Sequence, residues 1–85
     1  MKVLFFAYLR DKAGTSEMSV SPPETVTDVT GLIAWLRTEH DGPAKALKDM
    51  AAVRIAVNQT YAKPEHAIGP DDEIAFFPPV TGGRS

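Results

Sequence analysis

One segment of this 85-residue chain has the spacing of an amphipathic helix, and its single apolar stripe requires another element of the fold to pack against it. Its apolar residues recur as a single buried stripe of the i, i+3, i+4, i+7 type, made by Val29, Leu32, Ile33 and Leu36. Thr25 or Thr27 is predicted to cap the start of this helix, and Asp28 suits the positive end of its dipole. Asp41-Gly42-Pro43 is predicted to end the helix.

The other periodic segments have strand patterns. They cover residues 2–10, 16–21, 53–57, 61–62 and 73–77. Residues 11–15 are predicted to form a turn and residues 44–50 a short second helix. One main helix with a four- or five-stranded sheet makes two layers. The sequence therefore predicts an α+β fold in which the main helix packs on one face of the sheet.

The opposite face of that sheet is expected to be apolar. Alternation along the first and last strands leaves aromatic residues on the uncovered face in either phase. In one phase the residues facing the helix are Val3, Phe5, Ala7, Leu9, Ile74 and Phe76, and those facing away are Leu4, Phe6, Tyr8, Ala75 and Phe77. A large exposed apolar patch is rare on a monomer, so we infer a partner surface there. The alternative is that loop residues fold over that face.

Composition excludes several classes of function. The net charge is −2 and the cations are scattered along the sequence, so no nucleic acid partner is expected. No run approaches the roughly 18 apolar residues of a membrane span, and we expect a cytoplasmic protein without a membrane partner. There is no cysteine, which excludes disulfides and thiolate metal sites. His40 and His66 lack ligand spacing, and Asp71-Asp72 has turn chemistry, so no metal site or catalytic set is predicted.

The segment after the last predicted strand changes character. In order it contains Pro78, Pro79, Val80, Thr81, Gly82 and Gly83. Proline fixes an extended exit from a strand, and paired glycines remove bulk and permit close approach of the backbone. We therefore predict a domain over residues 1–77 and a flexible tail over residues 78–85 that enters a narrow site in a partner. The alternative is a frayed terminus without a function.

Three blocks of the sequence resemble the small subunit of molybdopterin synthase, the MoaD family. They are KVLFFA at residues 2–7, VNQT at residues 57–60 and DEIAFFPPVTGG at residues 72–83. The resemblance extends over essentially the whole chain, and the last block is its most specific part. It implies the ubiquitin-like β-grasp fold, which agrees with the predicted helix and strands.

The resemblance also implies a sulfur carrier. In that family an E1-like adenylating enzyme uses ATP to activate the terminal glycine carboxylate, and sulfur then replaces AMP to give a thiocarboxylate. The tail donates this sulfur to a pterin precursor in the large synthase subunit, within a complex of two small and two large subunits. By motif position Gly83 would carry the sulfur and Gly82 would give clearance, while Phe6, Tyr61 and Phe77 would contact the large subunit. The chain itself would bind no cofactor and would not be an enzyme alone.

The sequence departs from the family pattern after Gly83, because Arg84-Ser85 follows. While this dipeptide is present, Gly83 is an ordinary amide and cannot be adenylated. Three explanations compete: a protease trims the dipeptide, the dipeptide is a cloning remnant, or the chain has lost the carrier function. We favour the cloning remnant.

Other functions remain open on the residues alone. A carrier for a thiazole-type pathway would use the same terminal chemistry. A ubiquitin-like protein modifier would join its terminal carboxylate to lysines, and a plain interaction module would not need the tail.

Overall fold

The computed structural model of the protein describes residues 1–79, which form one mixed sheet with helices on one of its faces. Its five strands are β1 (Lys2–Phe5), β2 (Glu17–Ser19), β3 (Arg54–Val57), β4 (Thr60–Tyr61) and β5 (Glu73–Phe77). The helices are α1 (Tyr8–Ala13), α2 (Val29–Glu39) and α3 (Asp41–Ala46), and a 3₁₀ turn spans Met50–Ala52. The predicted two-layer α+β architecture with one main helix is confirmed.

The strand order is β2-β1-β5-β3-β4. The two central strands, β1 and β5, are parallel, with Lys2 opposite Glu73 and Phe5 opposite Phe76. The other neighbouring pairs are antiparallel. The first and last strands of the described chain therefore lie side by side, and the C-terminal end of β5 emerges beside the end of β1.

The core lies between the sheet and α2. The stripe predicted from the sequence is buried, since Val29, Leu32, Ile33 and Leu36 all belong to the core cluster. On the sheet side the rings of Phe5 and Phe76 stack with their centroids 5.8 Å apart. Burial of such side chains contributes about 1.5–3 kcal/mol each, so this interface is a main source of stability.

The start of α2 differs in detail from the prediction. The Asp28 carboxylate accepts a hydrogen bond from the Gly31 backbone N–H at 2.8 Å and is the N-cap. Thr25 and Thr27 are not caps, because the residue in the extended conformation directly before the first helical turn is Asp28. The helix ends at Glu39, so the predicted break before Asp41 is confirmed, and α3 begins there because proline is tolerated in the first turn of a helix.

The first predicted strand was too long. It ends at Phe5, because Ala7 has φ 54° and ψ −134° and turns the chain into α1. Leu9 is still buried, but it reaches the core from α1 rather than from a strand. Residues 11–13 are therefore helical where a turn was predicted, and Gly14 ends α1 in the left-handed conformation with φ 79°.

The short elements also shift. The helix predicted over residues 44–50 lies at Asp41–Ala46, and the 3₁₀ turn follows it. In the part of the chain that the structure describes, no helix has the length and apolar character needed to span a bilayer.

Candidate functional site

The tail leaves the sheet at an end where three strands meet. Phe77 at the end of β5 pairs with Arg54 at the start of β3, and the Phe6 backbone N–H donates to the Phe76 carbonyl oxygen at 3.1 Å. Pro78 and Pro79 follow and are half-buried. We call this end of the sheet, with Phe6, Arg54 and Phe77, the tail exit.

The remaining tail residues, Val80, Thr81, Gly82 and Gly83, lie outside the described residues, as do Arg84 and Ser85. The roles given to them, and the division into a domain over residues 1–77 and a flexible tail over residues 78–85, stay predictions.

The sheet face opposite α2 is open, and we call it the open face. Its aromatic side chains include Phe6, which is 48% exposed, and Tyr61, which is 74% exposed. The rings of Tyr61 and Phe77 pack together with centroids 5.6 Å apart. Alternation is confirmed for β1 and β5, because Val3, Phe5, Ile74 and Phe76 are buried toward the helices. Tyr8 is exposed at the start of α1 and is not part of this face.

Two shallow depressions shape the open face. One, of about 430 Å³, is lined by Leu4, Phe6, Ala56, Gln59, Glu73, Ala75 and Phe77. The other, of about 320 Å³, is lined by Arg54, Ile55, Tyr61, Ala62, Phe77 and Pro79. Phe77 borders both, and Pro79 links the second to the base of the tail. The fold thus brings Phe6, Tyr61 and Phe77 to one surface beside the tail exit, although their role as partner contacts stays a prediction.

Arg54 and Gln59 on this surface were not singled out from the sequence. Ile55 and Val57 point into the core, so alternation along β3 places Arg54 and Ala56 on the open face. The same alternation in the sequence could have identified Arg54. Gln59 lies in the β3–β4 turn with φ 69°, a position that strand patterns do not address.

The acidic pair Asp71-Asp72 is structural, as its turn chemistry indicated. The Asp72 carboxylate accepts hydrogen bonds from the Asn58 side-chain amide at 2.9 Å and from the Gly69 backbone N–H at 2.8 Å. These bonds, the Asn58 bond first, lower the pKa of Asp72 below its usual value. Across residues 1–79 no cluster of three or more His, Cys, Asp or Glu side chains is suited to hold a metal ion.

The family model described as the ThiS family matches residues 3–83, a range that includes all the strands apart from Lys2 at the start of β1, together with α2 and the glycine pair. The chain belongs to the ThiS family. Its likeness to a curated protein is also nearly complete in length. This chain is 41% identical over 83 residues to the molybdopterin synthase sulfur carrier subunit of Escherichia coli strain K12. The aligned region covers 98% of this chain and 99% of that protein.

Solved structures agree with the fold of this ThiS-family chain. A molybdopterin converting factor subunit 1 of Pyrococcus furiosus matches with a TM-score of 0.74 at 31% identity, over 93% of this chain and 95% of that one. The small archaeal modifier protein SAMP1 of Haloferax volcanii matches with a TM-score of 0.75 at 26% identity, over 98% of both chains. The resemblance to molybdopterin synthase small subunits and the β-grasp fold are confirmed.

Proposed function

We propose that this chain is the sulfur carrier subunit of a cytoplasmic molybdopterin synthase. The observation that carries the proposal is that the family match extends from residue 3 to Gly83, so the likeness includes the tail as well as the folded body. The relative that bears this name in Escherichia coli is similar over its whole length, which supports the same division into body and tail.

The chemistry takes place on the Gly83 carboxylate. One of its oxygens attacks the α-phosphorus of ATP in the activating enzyme, pyrophosphate leaves, and an acyl adenylate forms. A hydrosulfide ion then adds to the carbonyl carbon, AMP leaves, and loss of the remaining proton on sulfur gives a thiocarboxylate. Glycine at both Gly82 and Gly83 allows the backbone to approach the nucleotide closely. In this sequence Arg84 follows Gly83, so the carboxylate is available only in a chain that ends at Gly83.

The folded body binds the partner and sets the reach of the tail. The open face is the docking surface for the large synthase subunit, with Phe6, Tyr61 and Phe77 as its apolar anchors. Aromatic anchors at the centre of an interface commonly cost 2 kcal/mol or more of binding energy, as an order of magnitude, when truncated. Because Pro79 lines a depression on that face, docking also fixes where the tail starts.

An intact-mass experiment tests the carrier chemistry. A chain that ends at Gly83 is incubated with the E1-like adenylating enzyme of the same genome, ATP and a sulfur donor. Its mass should rise by the difference between sulfur and oxygen. The matched control is the chain that keeps Arg84-Ser85, which should gain nothing. The absence of a gain in the first chain, in an assay where a known carrier is loaded, would rule the proposal out.

A second candidate function is supported by the likeness to SAMP1, whose name makes that protein a modifier. In that case the Gly83 carboxylate would form an isopeptide bond with lysine amines of other proteins. Tagged chain in cell extracts would then give a ladder of conjugates of higher mass. A thiazole-type carrier remains a third candidate, and complementation of pathway mutants separates it from the molybdopterin pathway.

A further inference from the structure

A second surface lies on the helix side of the tail exit. Here α1, α3 and the segment leading into β3 surround an open cavity of about 410 Å³. Its floor is apolar and includes Leu9, Ala46 and Val53, which all belong to the buried core. We call it the lysine cavity, because its rim carries Lys12, Lys45 and Lys48.

None of the three lysines makes a salt bridge within residues 1–79. The one salt bridge among residues 1–79 joins Lys2 to Glu17 at 3.9 Å, so no carboxylate lies within salt-bridge distance of the cavity lysines. The one acidic residue that lines the cavity is Asp49, and its carboxylate accepts from the Ala51 backbone N–H at 3.2 Å. In a chain of net charge −2, this is a local concentration of positive charge.

Tyr8 gives the cavity an ordered wall. Its hydroxyl donates to the Ala52 carbonyl oxygen at 3.3 Å, which links α1 to the segment before β3. The Lys12 ammonium lies 5.4 Å from the centre of the Tyr8 ring. Since the ring is 42% exposed, the cavity offers an aromatic contact beside its cations.

The lysine cavity adjoins the tail exit. Tyr8 is two residues after Phe6, and Val53 directly precedes Arg54, which pairs with Phe77. A protein that takes up the tail therefore meets the lysine cavity on one side and the open face on the other.

We propose that the lysine cavity docks an acidic surface segment, rich in Asp and Glu, of the adenylating enzyme. The proposal rests on the proposed carrier function. The carrier must bind that enzyme, be loaded and leave, and charges at the rim of an interface mainly speed association rather than prolong the complex. Lysines that make no salt bridge and lie beside the tail exit suit such a brief encounter, whereas the apolar open face suits the longer complex with the large subunit.

The test compares two triple variants with equal net charge, both in chains that end at Gly83. The first is Lys12→Gln, Lys45→Gln, Lys48→Gln. The second is Arg10→Gln, Arg37→Gln, Lys63→Gln, whose residues are exposed and line neither the lysine cavity nor the open face. Circular dichroism establishes that both are folded, and pyrophosphate release then gives kcat/KM for adenylation as a function of salt.

The cavity variant should lose about tenfold in kcat/KM at low salt, mainly through KM, and most of its salt dependence. The control variant should stay within about twofold of wild type. Equal losses in both variants, or none in either, would overturn the proposal. Failure of the unmodified Gly83 chain to be adenylated would instead defeat the carrier function.

A small anion such as phosphate is the alternative occupant of the lysine cavity, and a separate titration tests for it. Inorganic pyrophosphate is titrated into the carrier alone while amide signals are followed by NMR. Saturable shifts confined to residues around the lysine cavity would assign it to a phosphate ligand and contradict the protein-docking proposal. Amide signals that stay unchanged in pyrophosphate would support docking of a protein segment in the lysine cavity.

Discussion

The side-chain amide of Asn58 lies 2.9 Å from a carboxylate oxygen of Asp72 and joins two turns that are distant in sequence. The Asn58 side-chain oxygen in turn accepts from the Glu73 backbone N–H at 3.0 Å. The β3–β4 turn is thereby fixed to the start of β5, the strand whose other end carries the tail.

This contact predicts a loss of stability in acid. The pKa of Asp72 is lowered in the folded state, first by the Asn58 bond and then by the Gly69 bond. A carboxyl whose folded pKa is lowered contributes stability above its unfolded pKa, about 3.9. That contribution is lost as the pH falls through the folded pKa. Urea denaturation across pH should show that Asp72→Asn is less stable than wild type near neutrality, and that the difference shrinks in acid.

The control for this variant is Asp71→Asn, at the exposed neighbouring position. Its stability should follow that of wild type at every pH. A constant difference between Asp72→Asn and wild type, down to the most acidic pH, would show that charge at Asp72 has no part in the effect.

Tyr61→Ala should separate docking from folding. The side chain is mostly exposed, so truncation should cost about 1 kcal/mol or less of stability, chiefly through its contact with Phe77. Affinity for the large synthase subunit, measured by calorimetry, should fall about tenfold or more, because an aromatic anchor is lost. Arg37→Ala, on the exposed side of α2, is the control and should bind as wild type does. Equal affinity for Tyr61→Ala and wild type would remove the open face from the docking surface.

Gly42→Ala should destabilise the fold. A Cβ at this position would overlap the Ala13 carbonyl oxygen, so α3 and α1 could not keep their present approach. We expect a loss of about 1–3 kcal/mol in the free energy of unfolding, measured with urea. Gly69→Ala is the matched control, because a Cβ there meets no atom within 4 Å. Similar stability of the two variants would mean that α3 adjusts without cost.

Ala7→Gly should stabilise the protein. Ala7 has φ 54° and ψ −134°, a region that glycine enters with far less strain than any residue with a Cβ. The relief should exceed the greater entropy of the unfolded chain and give a net gain of about 1 kcal/mol. Ala34→Gly, at an exposed position inside α2, should instead lose about 1 kcal/mol. Thermal unfolding of both variants should therefore show shifts of opposite sign, and a lower midpoint for Ala7→Gly would disprove strain at that position.

The sequence predicted α2 and the phase of the central strands well. The stripe of α2 repeats at the helical period, and the apolar residues of β1 and β5 repeat at the period of a strand, so each pattern is local and can be read without a fold. Local patterns failed at residues 6–10, where the aromatic residues Phe6 and Tyr8 favour a strand. There the turn at Ala7 and the burial of Leu9 against the core outweigh that preference.

The sequence by itself determined that one helix covers one sheet face, that the other face is apolar, and that two prolines and two glycines follow the last strand. These features depend only on residues that are close together in the sequence. Only the tertiary structure decided that β1 lies beside β5, that Asn58 reaches Asp72, and that Lys12 shares a cavity with Lys45 and Lys48. Such contacts join residues far apart in the chain, and many chain paths satisfy the same local periodicities. Their geometry is fixed only when the whole core packs at once.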